Sequence, residues 1–434
     1  MYNKKRSLNI VTLGCSKNLV DSEYLLQQLK IQGYTIYHDA EEISTDIVIL
    51  NTCGFILDAK QESIDHILSY AEKRSSGQLK KLLVMGCLSE RYREELENEI
   101  PEVDAFFGVW DHLDILKELG ATYQEDRRHE RHITTPAHYA YLKISEGCNR
   151  QCSFCAIPGI RGKQRSKSIE DLYAEALHLA GQGVKELILI AQDLSSYGSD
   201  LEGKDNLALL LNTLGSIRSL HWIRLHYAYP TGFPETVIDL MASHPKICRY
   251  IDIPIQHIND RILRSMNRGH DRKKLEILLN KLRSDIPGVA IRTTMLVGYP
   301  GESHEEFLEL LAFIEEFKFE RLGVFPYSHE EDTPAAVLKD DVPEETKHER
   351  LSILMAVQQQ LSLQKNQEMI GSELEVLIDR EEDEYYVGRS EFDSPEVDNE
   401  VLIKKDRVLA PGDLCHVVIE SAEEFDLYAR IKKG

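Results

Sequence analysis

Three thiols fall within eight residues in the stretch Glu146-Gly147-Cys148-Asn149-Arg150-Gln151-Cys152-Ser153-Phe154-Cys155, spaced CxxxCxxC. Three close thiolates on one loop can hold three irons of a cubane cluster and leave the fourth without a protein ligand. An open metal position is what a catalytic centre keeps and a structural one closes. Zinc is the competing reading, but zinc ordinarily takes a fourth Cys or His nearby, and none stands at CxxC distance. Three further thiols, Cys15, Cys53 and Cys87, are far apart in the chain yet share a setting. Each ends a short, branched apolar run: Asn9 to Leu13, Asp46 to Leu50, and Lys81 to Met85. Cysteine is common in cores, so one such thiol means little. Three in the same context point to a second all-Cys iron–sulfur site, again one ligand short.

Polar residues follow other apolar runs. Gln192-Asp193 comes after Glu186 to Ala191, where a ligand contact and a plain helix cap fit equally. Gln256-His257 follows Ile253-Pro254-Ile255; His257 is a candidate acid or base, with a structural histidine the blander reading. Gly298-Tyr299-Pro300-Gly301-Glu302 either brings backbone close to a ligand or simply turns the chain. Arg161 and Arg165 are basic in an acidic chain, and fit either an acidic ligand or solvent. No Walker loop, Ser–His–Asp set or HExxH is present.

The CxxxCxxC motif, with Phe154 just before its last cysteine, resembles the signature of radical S-adenosylmethionine (SAM) enzymes. That resemblance implies Cys148, Cys152 and Cys155 as ligands of a catalytic 4Fe-4S cluster whose open iron is chelated by the amino and carboxylate groups of SAM. It implies Phe154 near the adenine, and reductive cleavage of SAM to a 5′-deoxyadenosyl radical. The Gly298–Glu302 segment resembles the glycine motif bordering SAM, so Gly298, Gly301 and Glu302 join Gln192 and Asp193 as cofactor candidates.

Leu13-Gly14-Cys15-Ser16-Lys17-Asn18 with Asp21-Ser22-Glu23, then Asn51-Thr52-Cys53-Gly54-Phe55 and Gly86-Cys87-Leu88, resemble the N-terminal part of methylthiotransferases. There, by resemblance, a second 4Fe-4S cluster on Cys15, Cys53 and Cys87 binds the sulfur to be transferred. Together with His138 to Cys148 and an acidic tail, the match is to the ribosomal branch, which modifies the β-carbon of an aspartate on the twelfth small-subunit protein. That C–H is unactivated, and no side chain is basic enough to take it as a proton; a radical answers that need. Two departures are Ser16, where Pro is frequent, and Leu194, where Thr is usual; the second leaves its loop less certain.

These residues must be positioned by regular elements. In residues 1–133, near-continuous apolar runs alternate with helical segments Ser22 to Lys30, Ala59 to Arg74 and Glu90 to Glu99. This reads as a doubly wound parallel sheet with ligand sites beyond its carboxyl ends. In residues 134–365, six strand–helix units beginning at Tyr139 suit a partial (β/α)6 barrel; a second doubly wound sheet has the same periodicity. Residues 366–434 carry five short β-like runs punctuated by Gly388, Pro411 and Gly412, which suits a small barrel of the oligonucleotide-binding type. Its position resembles the TRAM domain of methylthiotransferases.

With 434 residues and ordinary apolar content, the chain can build two or three cores. Met1 to Arg6 leads into a strand rather than a signal segment, and no apolar run approaches the roughly 18 residues of a membrane span. A cytoplasmic location is expected, with cysteines serving metal rather than disulfides. The net charge is −22, and from Asn366 onward eight Lys/Arg face nineteen Asp/Glu. Such a tail repels RNA phosphates and attracts a basic protein, such as a ribosomal one. A tRNA-adenosine methylthiotransferase shares the chemistry but needs a basic tail; a noncatalytic iron–sulfur scaffold needs no SAM-type open cluster. An electron donor is also expected as a partner.

Overall fold

A computed structural model describes residues 6–40 and 43–432. Apart from Arg6, the charged leader lies outside them. The first sheet is parallel and contains β1 (Ser7–Thr12), β2 (Thr35–His38), β3 (Ile47–Thr52), β4 (Lys81–Gly86) and β5 (Ala105–Phe106), in the order β2-β1-β3-β4-β5. The order reverses between β1 and β3, the switch point at which doubly wound sheets form their crevice. Both faces are covered. Leu25, Leu26 and Leu29 of α1 (Ser16–Ile31) pack on one side. Ile67 and Tyr70 of α2 (Leu57–Ser75) and Leu96 of α3 (Cys87–Glu99) pack on the other.

Helix α1 starts at Ser16, six residues earlier than its apolar pattern predicts, because its first turns bury polar groups (Lys17, Asn18, Asp21, Ser22 and Glu23) instead of a hydrophobic stripe. Strands β2 and β5 also escape the pattern: both are edges, one half-buried and the other only two residues long.

The central sheet runs β6 (Tyr139–Lys143), β9 (Glu186–Ile190), β10 (Trp222–Leu225), β11 (Ile247–Asp252), β12 (Ala290–Val297) and β13 (Arg321–Pro326), while β7 (Ser145–Glu146) and β8 (Arg165–Ser166) pair in a separate ribbon. Its six strands are parallel and neighbour one another in sequence order. Without a reversal it is a partial barrel, which excludes the second doubly wound sheet. One face, with Leu187, Leu189, Ile223, Ile251 and Ile291, packs on the surrounding helices in a single large core.

The tail forms a closed barrel, β14-β15-β16-β18-β17, from β14 (Glu373–Glu381), β15 (Tyr385–Arg389), β16 (Glu400–Lys404), β17 (Leu414–Ala422) and β18 (Asp426–Ile431). Its β15–β16 connection enters the open face of the central barrel. The Arg224 guanidinium donates to the carbonyls of Ser390 (3.3 Å) and Glu391 (2.7 Å). Arg321 holds Asp393, Arg292 and the Tyr250 hydroxyl hold Asp398, and His226 meets the Ser394 hydroxyl. Part of the tail's acidity is therefore a docking charge rather than a field presented to a partner.

Candidate functional site

Cys53 and Cys87 immediately follow β3 and β4, and Cys15 stands three residues past β1. Cys15 is the N-cap of α1, and Cys87 opens α3, so two thiols sit where helix dipoles favour thiolates. The loops pack very closely. Gly14 has φ +93°, and a Cβ there would lie 2.7 Å from Cβ of Cys53. Asn18 ties the loops together: its amide donates to the carbonyls of Leu13 (3.0 Å) and Thr52 (3.1 Å), and its own backbone carbonyl accepts from Asn51. Ser63 fixes the next loop, accepting from the Cys53 N–H and donating to the Cys53 carbonyl. Burial pushes the Cys53 thiol up to about 12 and raises that of Cys87; the neighbouring cysteines add to both.

The other trio sits past β7. Gly147, at φ +78°, allows the sharp entry; a Cβ there would lie 2.3 Å from the Lys163 carbonyl. Cys148 then donates its N–H to Gly162. Arg268 Nη1 approaches Cys152 Sγ at 3.2 Å, and the Arg150 N–H approaches Cys148 Sγ at 3.4 Å. Burial raises Cys148 to about 11 and Cys155 to about 12. Phe154 packs into the small core of Met266, Leu296, Tyr299 and Tyr327. A cavity of about 550 Å³ is lined by Cys152, Cys155, Asn267 and Tyr299.

A largely buried ionic network runs from the N-terminal trio to β7, just ahead of Cys148. Arg161 donates to Asn18 Oδ1 (2.5 Å), approaches Cys87 Sγ (3.4 Å), and pairs with Glu146 (2.9 Å) and Asp21 (3.3 Å). Lys143 pairs with the same two carboxylates. Glu146 also accepts from Gln192 Nε2 at 2.5 Å. Burial alone would raise the Glu146 carboxyl, but Lys143 and Arg161 outweigh it and hold the group well below the usual carboxylate range.

Within each trio the thiols lie near enough to act on one another's ionisation. Desolvated thiols resist ionisation unless a metal supplies positive charge. Beside the Cys148–Cys155 loop, Gln192 Oε1 and Asp193 Oδ1 are buried without protein partners, although Asp193 Oδ2 accepts from Arg150 at 2.7 Å. Those two oxygens fit a polar cofactor.

Other sequence candidates have partners of their own. Glu302 accepts from the N–H groups of Gly298 (2.5 Å) and Tyr299 (3.1 Å) and pairs with Arg350 (3.0 Å), so it braces the glycine loop that contains Gly301. Burial raises its carboxyl to about 6. His257 accepts from the Asn259 N–H, and burial lowers it to about 3, so it stays neutral and holds a turn. Arg165 stacks on Trp110. Cys248 and Cys415 are buried in other cores. Asn18, Asn51 and Lys143 lie in the stretches that carry the family resemblance, but their bonding roles, like that of Ser63, arise from contacts between distant segments.

A parallel partial barrel with a three-cysteine loop beyond its first strand defines the radical SAM class. Solved structures agree on the fold: this chain is similar to the radical SAM methyltransferase TsrM from Kitasatospora setae, with a TM-score of 0.55, 15% identity and 77% of each chain covered. Family models match in three places: Uncharacterized protein family UPF0004 at residues 7–108, the Radical SAM superfamily at 142–314, and the TRAM domain at 370–431. The ribosomal protein uS12 methylthiotransferase RimO of Flavobacterium johnsoniae is 53% identical over 98% of both chains. That of Bacteroides thetaiotaomicron is 49% identical over 99% of both. The chain belongs to this methylthiotransferase family.

Proposed function

We propose that this protein attaches a methylthio group to the β-carbon of an aspartate in ribosomal protein uS12. The supporting observation is the chain of contacts Cys87–Arg161–Glu146–Gln192, which runs from the N-terminal cysteine trio to the short strand β7 that leads into the Cys148 loop. In this reading Cys148, Cys152 and Cys155 hold one 4Fe-4S cluster, and Cys15, Cys53 and Cys87 hold a second that binds sulfur. Loaded with both clusters and SAM, the site would supply the deoxyadenosyl radical and the methylthio group. Arg268 and Arg150 offset thiolate charge on the Cys148–Cys155 loop, while Arg161 does so at Cys53 and Cys87. Gln192 and Asp193 offer their unpartnered oxygens to the cofactor, Phe154 packs beside it, and Glu302 fixes the Gly298–Gly301 loop around it. The parts divide at 1–133, 134–365 and 366–434. A low-potential electron donor completes the system, and a ribosomal substrate implies a cytoplasmic setting.

The test is to incubate reconstituted protein, SAM and reductant with uS12 and, separately, with tRNA, then to weigh both products. A methylthio increment on uS12 is expected. An increment on tRNA alone would overturn the substrate, and no deoxyadenosine at all would favour a noncatalytic scaffold.

A further inference from the structure

Three lysines are buried among the described residues: Lys17, Lys143 and Lys347. Two have carboxylate partners. Lys143 meets Asp21 and Glu146, and Lys347 meets Asp340 (2.8 Å) and Glu344 (3.3 Å). Lys17 has none. Its side chain is 7% exposed, and its ammonium lies over the ring of Tyr227, 2.9 Å from the centroid. An aromatic face offsets part of the cost of burying a cation, but a buried charge ordinarily requires an ion partner or hydrogen bonds.

The direction in which Lys17 reaches bears on what that partner is. It follows Cys15 by two residues, yet the cation acting on the Cys53 and Cys87 thiols is Arg161. Lys17 instead reaches across the seam to the central barrel, where its charge bears on His226. Tyr227, two residues past β10, is held with φ at +62°; its N–H donates to Asp252 and its carbonyl accepts from Leu194. Strain at a non-glycine residue persists where the surroundings enforce it, and here it fixes the ring beneath the ammonium. The other cations near His226 are matched: Arg224 by Glu186, Arg389 by Glu186 and Asp379, and Arg292 by Asp252 and Asp398. Lys17 is thus a buried cation at the junction of the N-terminal and central domains that has an aromatic face but no carboxylate partner.

We infer that Lys17 binds the side-chain carboxylate of the substrate aspartate over Tyr227. The inference rests on the reading of the protein as an aspartate methylthiotransferase and adds the residue that selects the acid. A neutral amide or nucleobase in the same place would leave the ammonium buried and unpaired, so the site would discriminate by charge.

The experiment uses reconstituted full-length protein, wild type, Lys17→Met and Lys17→Arg, with uS12 carrying its target aspartate or an asparagine there. Methylthiolation kinetics are measured alongside equilibrium binding of both uS12 forms, SAM affinity and iron content. In Lys17→Met the expected result is a KM for the aspartate form raised tenfold or more, with a smaller change in kcat. The wild-type preference for aspartate over asparagine should collapse, and Lys17→Arg should restore much of it. An unaltered KM and acid preference in Lys17→Met would overturn the inference. So would loss of iron or of SAM affinity in place of substrate affinity, which would assign Lys17 to a cluster or to the cofactor. If wild-type protein methylthiolates nothing, the function itself fails; unequal wild-type binding of the two uS12 forms that Lys17→Met equalises would still support the carboxylate contact, and equal wild-type binding would refute it.

Discussion

Replacing Asn18 by Ala should loosen the N-terminal cysteine site selectively. The side chain is fully buried and makes two bonds from its amide to the carbonyls of Leu13 and Thr52 and one accepted from the Arg161 guanidinium, with a weak, long fourth accepted from the Cys87 thiol at 3.8 Å. Neutral bonds contribute about 1 kcal/mol each and a charged one about 2, so the truncation costs about 4 kcal/mol. Each 1.4 kcal/mol is about a factor of ten, so the local opening equilibrium should rise roughly a thousandfold. Amide hydrogen exchange reads this directly, because protection in cooperative segments reports their opening free energy. Faster exchange should appear in the first turns of α1 and around Cys53, but not in β9 or β10. Iron per chain after anaerobic reconstitution should fall toward half. Unaltered exchange near Cys15 and Cys53, or equal loss of protection across both sheets, would refute the claim that Asn18 is the local tie.

Further outcomes follow from the same contacts. Cys148→Ala should abolish deoxyadenosine formation, whereas Cys53→Ala should mainly block sulfur insertion; chromatography of SAM products together with substrate mass separates the two. Arg224→Met leaves Glu186 buried with Arg389 as its remaining partner; breaking such a pair costs about 3–5 kcal/mol, seen as a lower denaturation midpoint and faster cleavage at the tail. His257 is wholly buried with a folded-state value lowered from 6.5 to about 3. The unfolded chain therefore takes up a proton first, so this histidine's contribution is fully present above pH 6.5 and lost as pH falls toward 3. Denaturant titrations between pH 7 and 5 should show a slope of up to about 1.4 kcal/mol per pH unit from this group, and His257→Gln should reduce it.

Much of the architecture was legible because the cysteines stand at strand ends. Apolar runs ending at Cys53 and Cys87 located β3 and β4, and the five tail runs fall within the five strands of the closed barrel. The signal failed where helix and strand bury polar rather than apolar groups. The first turns of α1 looked like loop because Asn18, Asp21 and Glu23 face partners from elsewhere in the chain. The acidity of the tail was visible, but counting residues does not distinguish Asp393 and Asp398, locked against Arg321 and Arg292, from Glu381 to Glu384 at an exposed hairpin tip. His257 and Glu302 stood at promising strand ends, yet each is engaged by its own loop.

The β15–β16 connection has one more effect. By occupying the inner face near the starts of the strands, through Tyr139, Arg224 and Arg321, it stoppers the barrel from below. Losing the connection would leave the Arg224 and Arg321 guanidinium groups, buried or nearly so, without these partners, so the tail barrel and the central barrel should unfold together.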